Sequence, residues 1–149
     1  MKTFLNNCDV MHLIKMQYKI LISTKKREEL IDITKEVEEK VKESGIKEGI
    51  CNVFVKHSSA AIIINENYDP NLSDDFLGFL RKIIPPGVWK HDRIDSNGDA
   101  HIKSSIIGSS VSLPITNGDI NLGRWQSIVF CEFDGPRSNR EILLTIISD

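Results

Sequence analysis

The sequence predicts one compact α+β domain built from mixed or antiparallel β-sheets and two main helices. Three observations lead there. The chain has 149 residues, enough to bury one ordinary core. Hydrophobic residues make up 40% of it and charged residues 27%, a globular rather than a disordered balance. Two segments carry apolar residues at helical spacing, while most of the remainder falls into short extended runs bounded by turn residues.

The first 16 residues are polar and irregular and form an N-terminal segment apart from the domain, which runs from 17 to 149. From Gln17 to Ser23, Tyr18, Ile20 and Ile22 alternate with Lys19 and Leu21, a strand pattern. A helix follows from about Thr34 to Ser44. Thr34 is placed to cap it, Val37 and Val41 supply the buried stripe, and Gly45 ends it. Gly49 to His57 and Ala60 to Asn65 read as strands joined by Ser58 and Ser59. Asp69-Pro70 is a helix start, a carboxylate cap before a proline at the first helical position. Leu72, Phe76, Phe79, Leu80 and Ile83 then share a face until Pro85-Pro86-Gly87 stops the helix.

From Gly87 to Ala100 the chain reads as a long loop carrying Trp89 and His91, a kind of connection more often functional than idle. The last third is β-rich: Ser109 to Ile115, a turn at Asn117-Gly118, Trp125 to Phe133, a turn at Asp134-Gly135-Pro136, and Glu141 to Ile147. The Trp125–Phe133 strand is apolar on both faces and should be covered on both. Helices account for one cover, and the other is expected from more protein, such as a second subunit.

Composition excludes several classes. Formal net charge is −2 and the longest basic run is Lys25-Lys26-Arg27, so nucleic acid is not an expected partner. Cys8, Cys51 and Cys131 lack any paired spacing and read as reduced, mostly buried thiols. No apolar run is long enough to span a bilayer, and no secretory signal is visible, so the expectation is a cytoplasmic protein without a membrane partner.

Several residues stand out for chemistry. His57 closes a strand, His91 lies in the long loop, and His101 opens the stretch HIKSSIIG. Three imidazoles from separate elements can converge on one divalent metal with an open position, a common catalytic arrangement, although dispersed histidines are more often unrelated. Glu66 and Asn65 end a strand, and Asp75 sits at the margin of the buried helix face, where it serves as a base or is satisfied by a backbone group. Gln126 and Glu132 share a strand face with Ile128 and Phe130, at a site wall or a subunit interface. Arg137, in a tight turn with Arg140 nearby, either captures an anion or braces the turn by pairing with Asp134 or Glu132. Lys103, with Ser104 and Ser105, is a further anion candidate. Ser58 is no serine-hydrolase nucleophile: residues adjacent on a strand face opposite ways, so His57 is badly placed as its base, and no GxSxG elbow is present.

The blocks HSSAAIIINENYDP, NGDAHIKSSIIG and LGRWQSIVFCEFDGPRSNRE resemble successive signature blocks of the YjbQ-like family, also called secondary thiamine-phosphate synthases. The resemblance spans residues 17 to 147. It implies a trimer-forming α+β fold and a histidine cluster, matched by His57, His91 and His101, that holds a zinc-like or magnesium-like divalent ion. It gives Asn65, Glu66 and Asp75 catalytic roles and assigns Lys103, Ser104, Gln126 and Arg137 to a small phosphorylated substrate. The implied activity condenses a pyrimidine methyl diphosphate with a thiazole phosphate and releases pyrophosphate. A metal-dependent hydrolase of a small phosphorylated molecule, or a binding protein with only incidental turnover, are the alternatives. Ser58-Ser59, where threonine is usual, and Ser138-Asn139, which interrupts the arginine-rich end of the last block, depart from the pattern.

Overall fold

The computed structural model describes residues 13–148. In chain order the elements are β1 (Ile14–Ile22), β2 (Glu29–Asp32), α1 (Thr34–Ser44), β3 (Gly49–Val55), β4 (Ala60–Glu66) and α2 (Pro70–Ile83). A 3-10 turn (Lys90–Arg93) then leads into α3 (Gly98–Ile107), β5 (Ser110–Thr116), β6 (Asp119–Ile120), β7 (Gln126–Glu132) and β8 (Arg140–Ser148). One sheet has the order β1-β8-β3-β5-β6 and the other β2-β7-β4, and every pairing is antiparallel. No helix among the described residues is long and apolar enough to cross a membrane.

Three layers result. Val53, Val55, Ile142, Leu144 and Ile146 of the larger sheet pack against Ile62, Ile128 and Phe130 of the smaller one, with Val37 and Val41 of α1 closing one end. On its other face the smaller sheet presents Ala61, Val129, Cys131 and Phe133 to Leu77, Leu80 and Ile84 at α2 and to Ala100 of α3. β7 is therefore buried on both sides, as its sequence requires. The second cover is this chain's own larger sheet, so the further protein expected there, such as a second subunit, is not what covers this face. The uncovered surface is instead the outer face of the larger sheet, where Leu21, Ile50 and Phe54 stand exposed.

Local chemistry explains most boundaries. Asp69 caps α2, its carboxylate accepting from the Asn71 N–H at 2.9 Å. Gly45 stops α1 with φ +70, and Asn117 and Gly118 both take positive φ in the β5–β6 turn. Four expectations need correction. β1 begins at Ile14 rather than Gln17, and residues 1–12, with Cys8, lie outside the described residues. Thr34 does not cap α1: Asp32 accepts its N–H at 2.8 Å, and its own hydroxyl accepts the Ile128 N–H. The buried face of α2 is turned from the one expected, with Leu77 and Leu80 inside while Phe79 and Ile83 are 59% and 51% exposed. The helices number three, because the chain after the 3-10 turn forms α3.

α3 escaped detection for a physical reason. Its buried positions are Gly98, Asp99, Ala100, Lys103 and Ser104, mostly polar, so burial leaves no apolar stripe at helical spacing. Cys51 and Cys131 are buried free thiols, and burial pushes the Cys51 thiol up to about 12, as expected of inert structural cysteines.

Candidate functional site

Two of the three singled-out histidines meet. His91, on the 3-10 turn, and His101, on the first turns of α3, stack edge to face with ring centroids 5.1 Å apart. The turn is built by Asp92, whose carboxylate accepts the Trp89 N–H and the Gly98 N–H, each at 2.8 Å. Trp89 is held by its indole N–H on the Pro85 carbonyl at 2.7 Å. Gly98 is required here, because a Cβ would lie 2.8 Å from the Trp89 Cβ and 2.9 Å from an Asp92 carboxylate oxygen.

His101 Nδ1 lies 3.1 Å from the Ser58 carbonyl. A carbonyl only accepts, so Nδ1 carries the proton and the neutral ring offers Nε2 as a lone pair. A pocket of about 620 Å³, lined by Val88, Trp89, Lys90, His91, Gly98, His101 and Ile102, opens beside the pair. Fixing one ring nitrogen on a carbonyl to expose the other is how proteins orient a metal-ligating histidine.

His57 is engaged differently. Its Nε2 accepts the Glu141 N–H at 2.9 Å, so the neutral ring bears its proton on Nδ1. Burial, with help from the Arg140 guanidinium, pushes its pKa below the usual histidine value. With Nε2 taken and Nδ1 protonated, His57 has no lone pair to give. Among the described residues no three His, Cys, Asp or Glu side chains stand together as a metal site. His91 and His101 thus stand together as a pair, and His57 is held apart from them by its bond to the Glu141 N–H.

The remaining singled-out residues are scattered. Lys103 is fully buried, its ammonium 2.6 Å from Glu28 and 2.8 Å from Asp99. Arg27 adds a two-pronged contact to Asp99 at 2.8 and 3.1 Å, and Arg81 pairs with Glu28. Burial opposes the charge on Asp99, yet the hydrogen bonds from Arg27 and Lys103 hold its carboxyl below the usual carboxylate range. Lys103 is thus the centre of an internal ion network, not a ligand-facing cation, which corrects its assignment to an anion site. Ser104 is also buried, donating to the Ala60 carbonyl at 2.6 Å.

Arg137 braces its turn. Nη2 donates to Asp134 at 2.7 Å, and its backbone N–H donates to the Thr24 hydroxyl at 2.9 Å. Arg140, rather than being solvated, grips buried Glu132 with two contacts of 2.6 Å and reaches Ser59 at 3.0 Å. Glu66 and Asn65 pair with Gln126 and Ser127 at the far end of β4. That end lies about 20 Å along the strand from Ala60 and the histidines. Gln126 accepts the Gly123 N–H at 2.7 Å, and Asp75 is exposed on α2. Within one chain, none of Asn65, Glu66, Asp75 or Gln126 joins the histidines.

Sequence reading missed Trp89 as a pocket wall, Asp92 as the residue that shapes it, and the Arg27–Asp99–Lys103–Glu28 network. For Asp92 the signal was weak but present: a carboxylate shortly before Asn97-Gly98 in a glycine-bearing loop. Only Asp99 and Lys103, at i,i+4 on α3, form a local pattern; their partners Arg27 and Glu28 lie 72 and 75 residues away.

A helix-covered pair of antiparallel sheets, with a histidine-bearing pocket at the start of its third helix, defines the class of protein. The sequence model of the UPF0047 protein YjbQ-like family matches residues 18–149. A UPF0047 protein of Methanocaldococcus jannaschii is 47% identical over 139 residues, 93% of this chain and 99% of that one. The UPF0047 protein YugU of Bacillus subtilis is 44% identical over 120 residues, 78% and 89% of the two chains. The crystal structure of a YbjQ-like protein from Sulfolobus solfataricus superposes with a TM-score of 0.89 at 40% identity, covering 93% of this chain and all of that one. The chain belongs to the UPF0047/YjbQ-like family.

Proposed function

We propose that this chain is a metal-binding enzyme acting on a small phosphorylated molecule, by transfer of the kind its resemblance to secondary thiamine-phosphate synthases implies. The observation that carries the reading is the His91–His101 pair, with His101 Nε2 kept as a lone pair by the Ser58 carbonyl beside a pocket of about 620 Å³. His91 and His101 would hold a divalent ion such as zinc or magnesium. Bound there, the ion supplies positive charge to a diphosphate leaving group. The chain's own residues provide the rest: Trp89, Val88 and Ile102 form an apolar wall suited to a flat ring, and Lys90 adds a cation at the rim.

A homotrimer is part of the proposal, supported by the resemblance and by the bare outer face of the larger sheet with Leu21, Ile50 and Phe54. In a metal-dependent hydrolase the base would not be Glu66, at the far end of β4; Asp95, whose Oδ2 lies 3.9 Å from His91 Nε2, is the carboxylate beside the pair. Purified protein mixed with a pyrimidine methyl diphosphate separates the readings. Pyrophosphate released only when thiazole phosphate is added supports transfer. Release without it means hydrolysis, and tight binding with no release means a binding protein.

A further inference from the structure

A second cleft lies on the other side of His101. It encloses about 520 Å³ and is lined by Lys56, His57, Ser58, Ser105 and Ser109 among others. β3 leaves the sheet here: Val55 still pairs with Ile142 of β8, and two residues later the His57 ring takes the place of a strand by accepting the Glu141 N–H. That bond leaves a single polar atom of the ring, the protonated Nδ1, as a donor. The Ser105 hydroxyl donates to the His101 carbonyl, but those of Ser58 and Ser109 have no protein partner among the described residues. Lys56 pairs with Glu141 at 2.8 Å, and Lys19 pairs with the same carboxylate at 2.9 Å. Two cations on one carboxylate leave a net positive charge beside the cleft. The C-terminal end of α3 also borders it, and its carbonyls oppose an anion. The lysines must therefore outweigh that dipole.

We propose that this cleft is an oxyanion subsite, in which His57 Nδ1–H, the Ser58 and Ser109 hydroxyls and the Lys56 ammonium bind a phosphoryl group of the substrate. The inference rests on the reading of a phosphorylated substrate and gives His57 a place in it as a donor to that substrate, not as a metal ligand. It also replaces Lys103, which the fold buries between Glu28 and Asp99.

The test uses full-length protein labelled with 15N at histidine, titrated with inorganic phosphate. His57 should show its proton on Nδ1 and shift on titration, while His91 and His101 stay still. Lys56→Gln combined with Ser109→Ala should weaken phosphate binding tenfold or more without changing the melting temperature. His57→Gln, whose amide can both accept from Glu141 and donate to phosphate, should keep its zinc content. A proton on His57 Nε2, phosphate shifts confined to His91 and His101, no phosphate binding, wild-type affinity in the double variant, or zinc lost in His57→Gln would each overturn the subsite. Zinc content of the wild type reads the metal proposal separately: no zinc with an intact His57 shift removes the metal and leaves the subsite standing.

Discussion

Replacing Lys103 by methionine separates an internal ion network from a ligand-binding cation. Lys103 is fully buried between Glu28 and Asp99, and the Asp99 side chain is also fully buried. Methionine retains most of the volume, so cavity formation is a minor term. The main loss is electrostatic, because Asp99 keeps only Arg27 and Glu28 only Arg81. Breaking a buried pair by removing one partner costs about 3–5 kcal/mol, and the surviving arginines place the expected loss at the low end, roughly 3 kcal/mol. Unfolding entropy of about 2.1 cal/mol/K per residue amounts to about 0.3 kcal/mol/K for this chain, so Tm should fall by roughly 10 °C.

Differential scanning calorimetry at pH 7 and fixed protein concentration reads this directly. The sign with pH also follows. Asp99 has a folded pKa below its unfolded value, so its stabilisation is present above the ordinary carboxylate range and is lost as pH falls through the lowered folded value. Wild type should therefore lose stability on acidification below about pH 4, and Asp99→Asn should lose less over the same interval. A Tm drop of less than about 3 °C in Lys103→Met, with phosphate affinity lost, would refute the network and return Lys103 to the ligand.

Four further outcomes follow. His101→Gln should lose most of its bound zinc with little loss of fold, measured by metal analysis and circular dichroism. Gly98→Ala should cost about 1–3 kcal/mol and alter Trp89 fluorescence, because the new methyl meets Trp89 and Asp92. Phe79→Ser should stay within about 0.5 kcal/mol of wild type whereas Leu80→Ala costs about 2–5, since only Leu80 is buried. His57, with its pKa lowered chiefly by burial, contributes stability that is full above the unfolded histidine value and is lost as pH falls through the folded one. The slope of wild-type stability on the acid side of about pH 6.5 should accordingly be steeper than that of His57→Gln.

Much of the fold was legible because neighbouring residues decide it. Asp69-Pro70 announced α2, Gly45 ended α1, and Asn117-Gly118 marked a hairpin, each through the backbone geometry those side chains permit. The two apolar faces of β7 showed that it lies in the middle of the molecule. What covers each face was not legible, because a pattern of burial does not name the surface that does the burying. α3 was missed on the same ground, since its buried positions are satisfied by charge and hydroxyl partners rather than by apolar contact.

The sequence by itself determined the family, the α+β class, and the buried free thiols Cys51 and Cys131. Tertiary structure alone decided what each polar residue does. Lys103 and Arg137 look alike in sequence, two cations near signature blocks, yet one is buried against Glu28 and Asp99 and the other braces a turn through Asp134. His57 and His101 both carry their proton on Nδ1 and differ in which ring nitrogen a backbone group engages, Nε2 of His57 by the Glu141 N–H and Nδ1 of His101 by the Ser58 carbonyl. The partner decides which ring nitrogen faces a ligand, and it comes from a segment 84 residues away for His57 and 43 for His101. A charge or a ring nitrogen acquires its role from such contacts, and folding, not local sequence, brings them together.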